Sequence, residues 1–184
     1  MNSKAREFIK SDMFRYYAGS KISLKNKLML PLQIKYTIIL RKAQFSHKEL
    51  TRKYFRFRLM LISRKSMIQI PVEANIGTGF YIAHFGRIII HPHVVMGENI
   101  NIATGVTIGQ TNRGARQGTP TIGNKVWIGT NAVIVGKITI GDDVLIAPNA
   151  YVNFDVPSHA IVLGNPAKFY LRDNATEDYI DRMV

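Results

Sequence analysis

The chain has 184 residues, a formal net charge of +13 and no cysteine. The missing thiols exclude a disulfide framework and a thiolate metal site. No apolar run approaches the ~20 residues of a membrane-spanning helix. The first ten residues, MNSKAREFIK, are charged and no apolar run follows them, so no signal peptide is expected.

The positive charge is concentrated in residues 1–69, which hold 17 Lys or Arg and 3 Asp or Glu, whereas residues 70–184 hold 8 and 9. This split predicts a basic N-terminal region at 1–69 and a body of different construction. We divide the body into a repeat domain at 70–163 and a C-terminal loop and short helix at 164–184, where Asn174 and Glu177 have capping-box spacing.

Three helices are predicted in the basic region. The first covers residues 3–17 with Ser3 as its cap, and the second covers residues 32–44. The third opens at Ser46 and Glu49, which also have capping-box spacing. The basic N-terminal region is therefore expected to be α-helical.

The third helix is dense in cations and aromatic rings, which leaves its partner open. Its rings can pack on neighbouring elements while its charges face water. Alternatively, residues 1–69 make a peripheral contact with an anionic membrane, since each cation near such a surface adds ~1 kcal/mol. No nucleic-acid-binding motif is present, so a nucleic-acid partner is not expected.

Aliphatic residues recur at a spacing of six through the body of the chain. A helix needs a period near 3.6 and a strand a period of 2, whereas six fits short strands joined by corners, three to a coil. Small residues usually follow each aliphatic, where a corner leaves little room. This pattern predicts a mainly β chain built as a parallel β-helix of about five coils; the aliphatics are Ile70, Ile76, Ile82, Met96, Ile102, Ile108, Ile122, Ile128, Ile134, Ile140, Ile146 and Val152.

The spacing slips twice. It is eight between Ile82 and Ile90 and fourteen between Ile108 and Ile122, and we interpret each slip as two extra residues. Such slips mark loops that leave the prism, which is where repeat proteins carry function.

Three histidines, His84, His91 and His93, lie around the first slip. A three-histidine zinc site is one interpretation, but the spacing matches no metal motif and no metal is expected. His84 follows Ile82 by two and points away from the interior, so it is a candidate general base. An inert surface histidine fits the pattern equally well.

The run Ile70–Lys168 resembles the hexapeptide acyltransferases, in the serine acetyltransferase-like branch. The resemblance rests on "IGTGFYIAHFGRIII", "GVTIGQTNRG", "TPTIGNKVWIGTNAVIVGKITIGDDVLIAPNA" and "DVPSHAIVLGNPAK". The segments "FRYYAGS" and "YTIILRKAQF" resemble the version found in capsule and exopolysaccharide clusters. The resemblance implies a left-handed coil, a homotrimer and acetyl transfer from acetyl-CoA to a hydroxyl. It also implies a cytoplasmic enzyme, which in the capsule and exopolysaccharide version would lie at the inner face of the membrane.

The resemblance also assigns site residues. His84 takes the place of the catalytic base, Lys168 matches a basic position near the adenosine phosphate, and Arg113 and Arg116 are candidates for acceptor or phosphate contact. Tyr81 and Phe85 offer flat surface to an acceptor. The other coenzyme positions fall on Gly109, Gln110, Thr111, Gly129, Thr130, Ala147 and Pro148.

Four positions depart from the serine-specific pattern. The aspartate that orients the histidine is Gln69 here, so Gln69 and Glu73 are the candidates for that role. The charged groups for the amino acid are replaced by Ala83, Gly118 and Thr119. Unpaired charges in a closed site would cost several kcal/mol. We therefore predict that the acceptor is a saccharide used in cell-surface polysaccharide synthesis, with a lipid-linked glycan as one candidate. The alternatives are a serine O-acetyltransferase of cysteine biosynthesis and a non-catalytic β-helix scaffold.

Overall fold

The computed structural model describes residues 2–19 and 29–184. Three helices come first: α1 (Ser3–Tyr17), α2 (Leu32–Gln44) and α3 (Glu49–Ser66). The N-cap of α1 is Asn2, whose side chain accepts from the Lys4 N–H at 3.1 Å, and not Ser3. The predicted capping box of α3 is wrong, because the Ser46 hydroxyl donates back to the Lys42 carbonyl.

Fifteen short strands follow and form three sheets. Sheet A contains β1, β4, β7, β10 and β13; sheet B contains β2, β5, β8 and β11; sheet C contains β3, β6, β9, β12, β14 and β15. All pairings are parallel except that of β14 with β15. The strands are β1 (Ile68–Gln69), β2 (Asn75–Ile76), β3 (Tyr81–Ile82), β4 (Ile88–Ile90), β5 (Val95–Met96), β6 (Asn101–Ile102), β7 (Thr107–Gly109), β8 (Thr121–Ile122), β9 (Val126–Ile128), β10 (Val133–Val135), β11 (Thr139–Ile140), β12 (Val144–Ile146), β13 (Tyr151–Val152), β14 (Ala160–Gly164) and β15 (Ala167–Leu171).

Each coil takes one strand from each sheet, which confirms the left-handed parallel β-helix of about five coils. Each hexad pairs with the hexad that lies three further along the chain, as when Ile128 lies beside Ile146. The aliphatics of the six-residue pattern are buried and form one continuous core. Apolar surface buried in this core contributes about 25 cal/mol per Å², and this burial is the main stabilising term.

The second slip is longer than predicted. Met96 pairs with Ile122, 26 positions further on, which is eight more than three hexads. The segment between Ile108 and Ile122 therefore contains one hexad and eight extra residues, and the interpretation of two extra residues is wrong there. The extra residues form a loop whose base is a two-way backbone pairing of Thr111 with Gly118. We call residues 110–119 the long loop.

Two tyrosines of the helical region bond to the open edge of the first coil. The Tyr36 hydroxyl accepts from the Ile70 N–H at 2.9 Å and donates to the Ile70 carbonyl at 3.1 Å. The Tyr16 hydroxyl does the same at Ile82, at 2.8 and 2.9 Å. An uncovered end of a solenoid exposes unpaired backbone groups, so these hydroxyls replace the missing coil.

A buried ion pair covers another part of the same edge. Arg41 pairs with Asp12 at 2.8 Å, and both side chains are almost fully buried. Arg41 also donates to the carbonyls of Ile76 and Gly77, at 2.8 and 2.6 Å, while Asp12 accepts from the Phe80 N–H at 2.8 Å. Charges removed from water are tolerated when every group has a partner of this kind.

The C-terminal segment differs from the predicted loop and short helix. Strands β14 and β15 form a hairpin, and turns occupy the place of the predicted helix after Asn174. The buried Asp143 accepts from the N–H groups of Ala175 and Thr176, at 3.0 and 3.2 Å. That carboxylate fixes the tail along sheet C, where the Tyr179 ring packs on Trp127.

Candidate functional site

His84 lies in the turn between β3 and β4, at the corner where sheet C meets sheet A. We call this the His84 corner. The side chain is exposed, while Ile82 two residues earlier is buried in the core. The orientation predicted from the six-residue pattern is therefore confirmed, and the imidazole is free to meet a substrate from outside the prism.

The turn that carries His84 is held at several points. The Gly86 N–H donates to the Ser66 carbonyl at 2.9 Å. Gly86 has a φ of +142°, and a Cβ there would overlap the Thr104 hydroxyl, so only glycine fits. The Gln33 amide donates to the Ala83 carbonyl at 3.2 Å. Gln33 of α2 and Ser66 at the end of α3 therefore fix the backbone on the two sides of the histidine.

Neither candidate for orienting His84 contacts it within the chain. Glu73 lies in the turn between β1 and β2, at another corner, and pairs with Arg56 at 2.9 Å. Gln69 lies on sheet A in a groove that β1 shares with α3 residues Arg56 and Met60. Among the hydrogen bonds of residues 2–19 and 29–184, none involves the His84 ring.

Of the three histidines that are close in sequence, His84 lies apart in space from His91 and His93. Strand β4 carries the chain from the His84 corner across sheet A to the next corner, where His91 and His93 lie. Their rings meet edge to face at 5.2 Å. No group of three or more potential ligand side chains gathers anywhere in the described part of the chain.

The predicted coenzyme positions fall into two groups. Gly129, Thr130, Ala147 and Pro148 belong to the turns stacked above His84, at the same corner. Gly109, Gln110 and Thr111 lie at the base of the long loop, at the corner between sheets A and B. Sheet A separates the two groups within one chain.

Steric space distinguishes the two key glycines. A Cβ on Gly129 would lie 2.6 Å from the Pro148 nitrogen, whereas a Cβ on Gly109 would have only Val135 nearby, at 3.8 Å. Coil stacking alone accounts for Gly129, because backbone of the next coil occupies the space. Gly109 faces open space that a ligand can approach.

The long loop carries the two predicted arginines. The Arg116 guanidinium pairs with Asp155 at 2.9 Å, and the Arg116 carbonyl accepts from the Lys137 N–H. The Thr139 N–H and Arg116 hold the pKa of Asp155 below its usual value. Arg113 is exposed and forms no ion pair with any residue the structure describes. Arg116 therefore braces the loop, and Arg113 is the cation the loop presents.

The two predicted aromatic residues differ in their surroundings. Phe85, beside His84, is half exposed. Tyr81 lies on sheet C under the Tyr16 ring, with ring centroids 4.5 Å apart, and the Arg15 guanidinium lies over it at 5.8 Å. Tyr81 therefore packs against the helical region, and only Phe85 lies free at the His84 corner.

The sequence does not reveal that Gln33 and Tyr16 hold the turn and strand beside His84. Both fall within predicted helices, and nothing local shows which backbone group each bonds. Thr104 was also not predicted; its hydroxyl occupies the space that a Cβ at Gly86 would need. A signal did exist for Gly86, because it sits within the first slip of the spacing.

The comparisons with known proteins agree with the fold. The family described as "Bacterial transferase hexapeptide (six repeats)" matches residues 119–153, which lie within the β-helix. The chain is 37% identical over 106 residues to a serine acetyltransferase of Helicobacter pylori, covering 58% of this chain and 62% of that one. It is 31% identical over 134 residues to the serine acetyltransferase of Bacillus subtilis, covering 71% and 61%. The chain thus spans about three fifths of the length of these relatives.

Solved structures give the same match. A Neisseria gonorrhoeae serine acetyltransferase in complex with serine is 28% identical, with a TM-score of 0.70, covering 92% of this chain and 70% of that one. The soybean apoenzyme is 26% identical, with a TM-score of 0.77 and the same coverage. A Brucella abortus serine acetyltransferase, 24% identical with a TM-score of 0.78, covers 95% and 72% and shares the fold.

These relatives overturn the predicted saccharide acceptor and the assignment to a polysaccharide branch. All the relatives and structures above are serine acetyltransferases. The prediction rested on missing charges at Ala83, Gly118 and Thr119. Within one chain, Gly118 and Thr119 lie at the base of the long loop, at a different corner from His84. Absent charges there do not decide the acceptor, because other cations such as Arg113 can supply them.

Proposed function

We propose that this chain is an acyltransferase that moves the acetyl group of acetyl-CoA to the hydroxyl of L-serine. The observation that carries the proposal is His84, an exposed imidazole on a fixed turn at a corner of a hexapeptide-repeat prism. The acceptor and the transferred acetyl group come from the named activity of relatives that are 31–37% identical to this chain. The acetyl-CoA donor is the one that the sequence resemblance implies.

In the proposed reaction His84 acts as a general base. It takes the proton of the serine hydroxyl as that oxygen attacks the thioester carbonyl. Backbone N–H groups at the corner stabilise the negative oxygen that forms. The C–S bond then breaks, and the imidazolium returns its proton to the departing sulfur. The products are O-acetylserine and free coenzyme A.

Small residues favour a coenzyme laid along the His84 corner. Gly129, Thr130, Ala147 and Pro148 form a low surface above His84, against which a pantetheine chain can lie close to the backbone. We assign Lys168, exposed on β15, to the adenosine phosphate, because an ammonium is a suitable point charge for it.

We further propose that the site is completed by a second copy of the chain, in a homotrimer. Gly109, Gln110 and Thr111 lie at a different corner from His84 within one chain. A cyclic trimer joins unlike corners of neighbouring copies. The long loop of one copy would then reach the His84 corner of the next and present Arg113 to the serine carboxylate.

The direct test is to replace His84 and follow thiol release from acetyl-CoA with L-serine as acceptor. His84→Ala should lower turnover by about 10²-fold or more, because a general base contributes ~10²–10⁴. Its acetyl-CoA affinity should change little. His47→Ala is the matched control, since it removes an exposed imidazole from the segment between α2 and α3, and it should keep wild-type turnover.

Two results would contradict the proposal. Wild-type turnover in His84→Ala would place the base elsewhere. A wild-type protein that binds no acetyl-CoA and acetylates no serine would favour the non-catalytic scaffold.

A further inference from the structure

Helix α3 has an apolar face that no described residue covers. Leu50, Tyr54, Phe57 and Leu61 follow one another at spacings of four, three and four, which places them on one side of a helix. They are 84%, 51%, 55% and 46% exposed. The opposite side carries Leu59 and Ser66, which are buried. We call the four exposed residues the α3 stripe.

Cations flank the α3 stripe on both sides. At 100° per residue, Lys53 and Arg64 fall along one margin and Arg58 and Lys65 along the other. The helix holds six Lys or Arg and a single acid, Glu49, at its first position. The Arg58 guanidinium donates to the Tyr54 hydroxyl at 2.8 Å and lies over its ring, so the charge sits at the edge of the apolar surface.

A groove between α2 and α3 continues this surface. Its cavity of about 560 Å³ has an apolar lining that includes Ile38, Leu61 and Ile62, and four cations surround it: Lys35, Lys42, Arg58 and Lys65. No acid lines it. An apolar floor within a cationic rim suits a molecule with an apolar part and an anionic part.

Charge decides which partner the stripe favours. If two copies met through this same face, each would bring its cations against those of the other, and like charges at close range destabilise a contact. An anionic bilayer surface attracts the cations and accepts the apolar side chains, as amphipathic interfacial helices require. No helix of the described chain is long and apolar enough to cross a membrane, so the contact would lie in the interface plane.

We propose that α3 binds the surface of anionic membranes through the α3 stripe and its flanking cations. This peripheral contact does not depend on acetyl transfer. It gives a structural basis to the membrane contact predicted from the composition of residues 1–69, and it assigns the contact to one face of one helix.

The test is co-sedimentation of the full chain with vesicles of phosphatidylcholine alone and of phosphatidylcholine mixed with phosphatidylglycerol. The protein should bind only the mixed vesicles. Binding should weaken as salt approaches about 1 M, where the Debye length is about 3 Å. Leu50→Ser/Phe57→Ser should bind the mixed vesicles at least about tenfold less, because insertion depends on apolar area.

The matched control is Arg6→Glu/Lys10→Glu, which lowers the charge of the helical region on exposed positions of α1. It should keep most of the binding, whereas Arg58→Glu/Lys65→Glu should lose it. All substituted side chains are at the surface, and thermal melts confirm folding. Equal loss in the α1 control would show unspecific charge attraction and overturn the proposal. A stripe variant that binds the mixed vesicles like wild type would also overturn the proposal. So would a stripe variant that halves the mass of the protein in solution, because the stripe would then be an interface between copies.

Discussion

The interior of the β-helix is apolar, whereas the helical region that covers its first coil also buries charged side chains. The prism interior is aliphatic from Ile68 to Val162, and its backbone groups pair with the coils above and below. The junction between helices and first coil continues this core through Leu40 and Leu59 but also buries the charged Arg41, Asp12 and Arg15. The backbone N–H and C=O groups of a repeat find partners only where another repeat stacks on it. At the open end of the β-helix, individual polar side chains supply those hydrogen bonds instead.

The largest stability effect should come from breaking the buried ion pair of this junction. Arg41→Met removes the charge partner of Asp12 and leaves the carbonyls of Ile76 and Gly77 without a donor. Loss of one partner of a buried pair costs about 3–5 kcal/mol. Arg56→Met is the control, since it breaks the exposed pair with Glu73 and should cost at most about 1 kcal/mol. Chemical denaturation measures both, and equal costs would erase the contrast between the two regions.

A second effect concerns the buried carboxylate that fixes the tail. Burial by itself would raise the pKa of Asp143, but hydrogen bonds from Thr176, His159 and Lys125 outweigh it and hold the pKa well below its ordinary value. A group with a depressed folded pKa stabilises fully above its unfolded value, near 4, and loses that contribution as pH falls through the folded value.

We therefore expect the wild type to lose stability as pH falls below about 4, and Asp143→Asn to lose less over the same interval. At neutral pH, Asp143→Asn should be less stable by about 1–3 kcal/mol, since a buried charge-assisted network is broken. Thermal melts as a function of pH test this. Parallel curves for the two proteins would show that Asp143 does not carry the acid dependence.

The smallest expected change in stability comes from a comparison of two glycines on the prism surface. Gly129→Ala places a Cβ against the Pro148 backbone nitrogen and should cost about 1–3 kcal/mol, as overpacking does. Gly109→Ala has open space and should change stability by less than about 0.5 kcal/mol. If Gly109 faces coenzyme A as proposed, this substitution should weaken acetyl-CoA binding instead. A stable Gly129→Ala would mean that the coils stack more loosely than the structure indicates.

The fold was predictable because a six-residue period has few structural solutions. The interior aliphatics, the exposed position of His84 and the three helices all follow from spacing. The polar junction was not predictable in the same way. The spacing places Arg41 only within the predicted helix 32–44, because its burial depends on Asp12 from another helix and on carbonyls of a coil more than thirty residues away.

The site was only partly predictable for a related reason. Which corner a residue occupies depends on how many hexads precede it, and the long loop replaces what the spacing suggested was a hexad. Within one chain, the register between coils places Gly118 and Thr119 at a different corner from His84. Only a second copy of the chain can bring the long loop to the histidine.

In the proposed trimer, His84 of one copy works with the long loop of another. Two inactive variants test it when co-expressed: His84→Ala, and a chain in which residues 112–117 are replaced by two glycines. In a head-to-tail trimer mixed at random, about one quarter of the sites would pair an intact histidine with an intact loop. We predict that co-expression restores serine acetylation to about that fraction of wild type. Mixed assemblies that stay inactive, or a loop variant that is active alone, would contradict the account.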